Sequence, residues 1–239
     1  PMTMPRRPVT VATVTRLPRA EFVRTSYLAR SLAMLPPGEL PKILLHEGNA
    51  PPAPVLGLAE AYNAFLDDAA DDDILAFVHD DVFIHDWFFQ ERLREALTHF
   101  DVVGLAGHAT PDLAQPSWAL RFSPGLEPQG WQDRAGMSGT VGHGDPTAPS
   151  VSVYGPTPAP CRLLDGLFLA VSVGRVRAAG VCFDPRFRFH GYDLDFCRVA
   201  GAAGLRIGTW PIAVTHASGG NFASPAWKEG AAAYLAKWR

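Results

Sequence analysis

Hydrophobic residues recur with two different periods in the first third of the chain. The segment Val9 to Val14 is apolar and rich in β-branched residues, which is typical of a buried strand. After it, Leu28, Leu32 and Leu35 recur at helical spacing within residues 19–35. The pattern therefore predicts a strand followed by one helix.

The same alternation continues to residue 106. Apolar runs at 43–45, 74–78 and 102–106 predict further strands, and amphipathic stretches between them predict helices. Asp86 is a plausible N-cap for the helix that ends near Phe100. Alternating strands and helices of this length predict an α/β fold, with a Rossmann-like, mostly parallel central sheet flanked by helices.

The pattern changes between Thr110 and Pro160. This stretch is rich in Pro, Gly and Ser, carries isolated aromatic residues and has no helical periodicity, so we expect a loop-rich lid or binding segment. Regular patterns return as a strand at 167–173, a helix at 193–203 and two short strands that lead to His216. We expect a single domain over residues 1–239.

Composition narrows the functional classes. The 21 Lys and Arg residues nearly balance the 24 Asp and Glu residues, so no global field favours nucleic acid or an anionic membrane. Three unpatterned cysteines argue against a disulfide scaffold or structural zinc and suggest a reducing compartment. The basic N-terminal residues precede no apolar segment long enough for a signal peptide or membrane span. We expect a cytoplasmic protein, and peripheral attachment to a membrane stays open.

The strand at 74–78 ends in the sequence His79-Asp80-Asp81. In parallel sheets the ligand crevice lies beyond the carboxyl ends of the strands, and charge at such an end needs compensation. A divalent cation that bridges a diphosphate takes oxygen ligands and tolerates imidazole, so His79, Asp81 and His216 form a candidate metal site. The alternative is that they are solvated strand-end residues and a hydrogen-bonded core histidine.

A second polar cluster precedes the predicted helix at 193–203. The sequence His190-Gly191-Tyr192-Asp193 places a carboxylate after a glycine turn, where it could accept a proton from a sugar hydroxyl. Asp193 is the preferred base. Acids in a first helical turn are also favoured by the helix dipole alone, which is the alternative for Asp193 and for Asp195.

In combination, these motifs resemble the nucleotide-sugar glycosyltransferases of the A-type fold, in particular family-two-like members. The resemblance rests on the order of the Glu47 turn, the helical sequence AEAYN, the sequence HDDV, Asp165-Gly166, the sequence FHGYDLDFCR and the late His216. It covers the chain outside the variable middle. It implies a nucleotide-binding half at 1–109, a variable segment at 110–160 and an acceptor and catalytic half at 161–239.

The resemblance also implies roles for individual residues. The family's Asp-x-Asp motif aligns with residues 79–81, which gives Asp81 a metal role and Asp80 a nucleotide contact, with His79 in place of the first acid. Asp193 matches the catalytic base of the family's Glu-Asp pair, whose glutamate is a tyrosine here. His216 matches the late histidine that completes the metal site in many relatives.

Further contacts follow from the same resemblance. Glu47 and Asn63 are expected to contact the nucleotide, although an exposed turn residue and a turn cap are the alternatives. The residues expected on the acceptor side are Asp165, Gly166, His190, Tyr192 and Trp118. An aromatic plane such as Trp118 suits the apolar face of a pyranose, but in a loop it could equally anchor the loop itself.

The sequence thus predicts a metal-dependent glycosyltransferase that uses Mn²⁺ or Mg²⁺. Its donor would be a nucleoside diphosphate sugar, in particular a UDP-sugar, and its acceptor a hydroxyl on a glycan, lipid-linked or protein molecule, with inversion. One rival is a non-catalytic nucleotide-sugar or glycan binding protein, which the replaced acids would suit. A nucleotidyltransferase is a second rival, but the turn after the first strand lacks the glycine-rich loop of that class.

Overall fold

The structure is a computed structural model that describes residues 6–239. The first part of the basic N-terminal segment considered above therefore lies outside the described residues. The strands are β1 (Val9–Val14), β2 (Lys42–His46), β3 (Ile74–Val78), β4 (Val82–Ile84), β5 (Val102–Gly104), β6 (Ala106–His108), β7 (Leu120–Phe122), β8 (Pro128–Trp131), β9 (Met137–His143), β10 (Ser150–Gly155), β11 (Ala159–Pro160), β12 (Leu163–Leu164), β13 (Phe168–Ser172), β14 (Ile207–Thr209) and β15 (Val214–His216).

The α-helices cover the amphipathic stretches and the C-terminal segment. They are α1 (Arg19–Thr25), α2 (Tyr27–Leu32), α3 (Leu58–Asp68), α4 (Phe89–His99), α5 (Val173–Ala178), α6 (Tyr192–Ala202) and α7 (Pro225–Trp238). Among them, α3 packs on β1, α4 on β5 and β13, and α6 on β14. No helix among residues 6–239 combines the length and the apolar character that crossing a bilayer requires.

A seven-stranded sheet forms the centre, in the order β11-β14-β5-β13-β3-β1-β2. Five of its strands run in one direction, and β13 and β11 run in the other. The predicted α/β fold with a mostly parallel sheet is confirmed. All five residues of β3 are buried, as are all five of β13, because helices or neighbouring strands cover both strands.

The reversed strand β13 has a consequence for the site. Because β13 is antiparallel to β3 and Phe168 pairs with Val78, β13 begins where β3 ends. The residues before β13 therefore meet the residues after β3, and the His79 amide donates to the Leu167 carbonyl at 3.0 Å.

The prediction of a loop-rich segment between Thr110 and Pro160 was wrong in part. The segment contains the small β7–β8 sheet and the antiparallel pair β9–β10, and β9 joins a second sheet in the order β12-β6-β9-β15-β4. Several strands here are short and strongly interrupted by glycine, so their alternation is weak in the sequence. Pairing of β15 with β4 sets His216 opposite Val82, one residue after Asp81.

Three smaller predictions were also wrong. Residues 19–35 form two helices, because Ser26 has an extended backbone and its side chain caps the second helix at the Ala29 amide. The run at 102–106 divides into β5 and β6, which belong to different sheets. The Asp86 carboxylate accepts from the Phe88 amide, and α4 begins only at Phe89.

Candidate active site

Three side chains that could ligate a metal converge at the carboxyl end of β3. His79 and Asp81 belong to the turn between β3 and β4, and His216 ends β15, which pairs with β4. One ligand atom from each side chain lies within 4.8 Å of the others. The chain thus brings together residues that are more than 130 positions apart in the sequence. The convergence expected from the sequence is present in the structure.

Asp81 and His216 are in direct contact. Nε2 of His216 lies 3.2 Å from Oδ1 of Asp81, and the Ser218 hydroxyl lies 3.0 Å from the same nitrogen. Burial opposes the charge on both groups, but the partners outweigh it: the histidine lowers the pKa of Asp81 to about 2, and the carboxylate raises the pKa of His216. The aspartate is therefore ionised at neutral pH.

His79 is held as a neutral imidazole. Burial, and then the neighbouring His216, lower its pKa to about 4. Its Nε2 lies 2.8 Å from the Tyr192 hydroxyl, which lies 2.9 Å from the Gly166 carbonyl. Because a carbonyl only accepts, the tyrosine donates to Gly166 and accepts from Nε2–H of His79. This tautomer leaves the lone pair on Nδ1 of His79, the arrangement in which outer hydrogen bonds commonly orient ligating histidines.

Gly166 is necessary for this contact. A Cβ atom at position 166 would collide with the Tyr192 hydroxyl and would lie 3.0 Å from the Cβ of Asp193. The bare backbone lets the Tyr192 side chain span from His79 to the start of β13. Tyr192 therefore holds His79, one member of the three-residue cluster, in place, a contact that the sequence did not suggest.

Asp80 points away from the three-residue cluster toward β1. The Thr15 hydroxyl, just after β1, donates to Oδ2 of Asp80 at 2.5 Å. Burial raises the pKa of Asp80, and the bond from Thr15 counters part of that effect. The Asp80–Thr15 bond thus lies beyond the carboxyl ends of the parallel strands β1 and β3. In open sheets of this kind, ligands bind at that edge.

Asp193 and Asp165 form the second part of the site. Oδ2 of Asp193 accepts from the Gly166 amide at 2.9 Å. Burial and the nearby Asp165 carboxylate together raise the pKa of Asp193 to about 7. A carboxyl group with a pKa near the working pH can exchange a proton, which is what a general base requires.

Trp118 anchors the variable segment to this part of the site. Its Nε1 donates to Oδ2 of Asp165 at 2.9 Å, and its ring packs edge-on against Tyr154 at 5.1 Å. Only 5% of Trp118 is exposed, so little of its ring is free to stack on a sugar. Trp131, which is 47% exposed, lies beyond Tyr154 and has a freer ring. The anchoring alternative for Trp118 is the one that its contacts favour.

The other two residues predicted to contact the nucleotide, Glu47 and Asn63, form hydrogen bonds within the chain. Glu47 follows β2 and accepts from the amide and the Nε of Arg19. The Asn63 side chain donates to the Phe183 carbonyl at 2.8 Å and accepts from its amide at 2.9 Å. These bonds give Asn63 a role in holding the segment at Phe183, and its contact with a nucleotide stays a prediction.

The turn before α6 is packed against α7. A Cβ on Gly230 of α7 would meet Cβ and the carbonyl of His190, so the two segments are in close contact. His190 is partly buried there, and burial lowers its pKa. Two neighbours of the cluster were missed in the sequence: Ser218, beside His216, and Phe189, whose ring lies 6.5 Å from that of His79 and is 52% exposed. In the sequence, the only indication of these two residues was their position next to predicted site residues.

Taken together, the side chains fit a divalent cation. The cluster offers one ionised carboxylate and two imidazoles, one of them neutral, a set of nitrogen and oxygen donors that can hold a divalent cation. A titratable carboxyl group, Asp193, lies on the adjoining turn.

No protein-family model matches the chain, and no curated protein sequence does. Among solved structures, GalNAc-T7 in complex with UDP, GalNAc and Mn²⁺ aligns over 96% of this chain with a TM-score of 0.59 and 10% identity. The chain spans about half of that protein, 47% of its length. Weaker matches are A197 from STIV (TM-score 0.49, 11% identity, 87% and 85% coverage) and TarS from S. aureus (0.47, 12%, 87% and 60%). The similarity to GalNAc-T7 shows that the chain has the glycosyltransferase A-type fold.

Proposed function

We propose that the protein transfers a sugar from a nucleoside diphosphate sugar, in particular a UDP-sugar, to an acceptor hydroxyl with inversion, and that it requires a divalent cation. The observation that carries the proposal is the convergence of His79, Asp81 and His216 at the carboxyl edge of β3. GalNAc-T7, which has the same fold, was crystallised with UDP, GalNAc and Mn²⁺. That complex supports the choice of donor and metal.

The donor would be bound by groups at the ends of β1, β2 and β3. His79, Asp81 and His216 would hold Mn²⁺ or Mg²⁺, and Asp80, Glu47 and Asn63 are proposed as nucleotide contacts. When bound, the cation supplies positive charge against the leaving diphosphate. The Asp80–Thr15 bond and the Tyr192–His79 bond keep these side chains in fixed orientations, which lowers the cost of ordering them on binding.

Asp193 would act as the base. As the acceptor oxygen attacks the anomeric carbon, its proton passes to the Asp193 carboxylate and the bond from that carbon to the diphosphate oxygen breaks. The raised pKa and the bond from the Gly166 amide support this role, because they give a fixed carboxyl group that titrates near neutral pH. One such displacement inverts the anomeric configuration.

The acceptor would lie on the side of β13 and the variable segment. Asp165, Gly166, His190, Tyr192 and Trp118 are the residues proposed for that side, with Trp118 acting through Asp165. In this proposal, residues 1–109 bind the donor, and residues 161–239 carry the base and contact the acceptor. The segment 110–160 would determine which acceptor is used.

Binding linkage tests the proposal without knowledge of the acceptor. At about a hundredfold excess of UDP over its Kd, in the presence of Mn²⁺, the melting temperature should rise by about 5 °C or more. Asp81→Ala should abolish the rise, because it removes the charged ligand of the cluster. Asp67→Ala, on the exposed side of α3, is the matched control and should keep it.

The same measurement contains the contradicting outcomes. An unchanged melting temperature with saturating UDP and Mn²⁺ would refute UDP as the nucleotide, and larger shifts with GDP or ADP would reassign the donor. A rise that survives in Asp81→Ala would place the nucleotide elsewhere on the molecule. A rise of equal size with UDP alone would remove the metal requirement.

A further inference from the structure

Two adjoining cavities lie between α6, α7 and the segment 113–126. Their volumes are about 430 and 550 Å³, and Leu113, Arg198 and Trp238 line both of them. We call the two cavities together the arginine groove. It begins at Cys197 on α6, one turn after Asp193, and includes none of the side chains assigned above to the donor, the metal or the base.

The arginine groove is positively charged, although the chain as a whole has a net charge of −3. Arg162 lines the first cavity, Arg239 the second and Arg198 both, and no Asp or Glu of the described part of the chain lines either one. None of the three guanidinium groups has a salt bridge within residues 6–239. The buried acid Asp195, which accepts a hydrogen bond from Trp238 Nε1, is already paired with Lys237.

Arg198 is held in a fixed orientation at the centre of the groove. Its guanidinium lies 4.2 Å from the centroid of the Trp238 ring, and its Nη1 donates to the Leu113 carbonyl at 3.2 Å. Nη1 also donates to the Tyr234 hydroxyl at 3.4 Å, whereas Nε and Nη2 make no hydrogen bond to the described part of the chain. A planar, oriented guanidinium with free N–H groups is suited to paired bonds with phosphate or carboxylate oxygens.

The wall of the groove leads to the candidate active site. Residues Leu113 to Pro116 line the groove, and Trp118, two positions later, donates to Asp165 beside Asp193. We infer that the arginine groove binds the phosphate or carboxylate group of an acidic acceptor. The inference rests on the proposed function only for the identification of the ligand as the acceptor, since binding of the anion is testable without donor or metal.

The experiment uses the full, metal-free chain labelled with ¹⁵N and follows the indole N–H resonance of Trp238. Phenyl phosphate and benzoate serve as probes at constant ionic strength, because each joins an anion to a ring that can pack in the groove. Benzyl alcohol is the neutral control. We expect a saturable shift of the Trp238 resonance with at least one anion and none with benzyl alcohol; the stronger of the two anions identifies the acidic group.

Variants test whether the shift of the Trp238 resonance arises from binding in the arginine groove. Arg198→Gln should weaken binding by about tenfold or more, and Arg162→Gln, at an exposed position, by a smaller factor. Arg121→Gln on β7 removes an exposed arginine outside the groove and should leave the affinity unchanged. No shift with either anion, or equal shifts in wild type and both groove variants, would overturn the inference.

A last titration separates acceptor from donor. Saturating UDP and Mg²⁺ should leave the anion bound, because the groove and the metal cluster share no residue. Displacement of the probe by UDP would make the groove part of the donor site and refute the acceptor assignment. If UDP fails to bind while the anion binds, the proposed function fails and the anion site remains.

Discussion

Two carboxylates in the first turn of α6 have opposite surroundings. Asp195 is fully buried and is fully compensated: Lys237 donates to its Oδ2 at 2.9 Å and Trp238 Nε1 to its Oδ1 at 2.8 Å. Asp193, two residues earlier, has no cationic partner within residues 6–239; it accepts from the Gly166 amide and lies near the Asp165 carboxylate. The same helix dipole acts on both residues.

The surroundings of the two residues distinguish an acid with a structural role from an acid that can take part in catalysis. A buried charge with a cation and a second donor is held in place and links α7 to α6. A partly buried carboxylate beside another acid keeps a raised pKa and can take up a proton near neutral pH. The surroundings of each acid, more than its place in the helix, therefore assign the base role to Asp193 and the linking role to Asp195.

The largest expected effect comes from neutralising the uncompensated acid. Asp193→Asn should lower the rate of transfer by about 10²–10⁴-fold, because an amide cannot accept the acceptor proton. The donor should still bind, and UDP with Mn²⁺ should still raise the melting temperature. A steady-state assay of sugar transfer, together with the thermal shift, measures both outcomes; unchanged turnover would remove Asp193 from the base role.

The stability of the same variant provides its control. The folded pKa of Asp193 is raised, so its ionised form costs free energy in the folded state at pH values above its unfolded pKa, and this cost is complete above pH 7. Asp193→Asn should therefore be at least as stable as wild type at pH 8 and show no gain at pH 4. Loss of activity with this stability pattern cannot be attributed to unfolding.

Removal of the cation beside Asp195 should destabilise the protein, whereas Asp193→Asn should not. Lys237→Met leaves Asp195 buried with Trp238 as its side-chain donor, and it should lower the free energy of unfolding by about 3 kcal/mol in urea denaturation at pH 7. Lys228→Met breaks an exposed pair with Glu127 and should cost less than about 1 kcal/mol. Similar losses for the two variants would show that the Asp195 cluster contributes no more than a surface ion pair.

The regular core could be predicted from the sequence, and the reasons are local. Residues 9–14 and 74–78 are β-strands as predicted, because both are continuous apolar runs bounded by polar or turn residues. The strands within 110–160 were not predicted, because several are short and interrupted by glycine, and because β9 is held between β6 and the distant β15. The division of 19–35 at Ser26 depends on a single side-chain cap.

The candidate site was predictable only in part. His79, Asp81 and His216 were recognisable because each follows an apolar strand, and strand ends meet at one edge of a sheet. Two interactions depend on long-range packing that no local pattern encodes. They are the hydrogen bond between the Tyr192 hydroxyl and His79, and the hydrogen bond from Lys237 of α7 to Asp195. The arginine groove is formed by four separate segments and left no motif in the sequence.

The smallest expected effect concerns the neighbour that distinguishes Asp193 from Asp195. Asp165 contributes to the raised pKa of Asp193, so Asp165→Asn should lower that pKa and move the acidic limb of the pH profile of kcat/KM to lower pH. The ratio of activity at pH 6 to activity at pH 8, about a tenth for a base with a pKa near 7, should rise by a few fold. The overall rate is also expected to fall, because Trp118 and the Leu167 amide donate to different oxygens of Asp165, and in Asn one of these two positions is an NH₂ group that cannot accept. For this reason the shape of the pH profile is the readout.

Asp67→Asn is the control, because it removes a negative charge from the exposed side of α3 and should leave the shape of the pH profile unchanged. An acidic limb that stays in place in Asp165→Asn would mean that burial alone sets the pKa of Asp193.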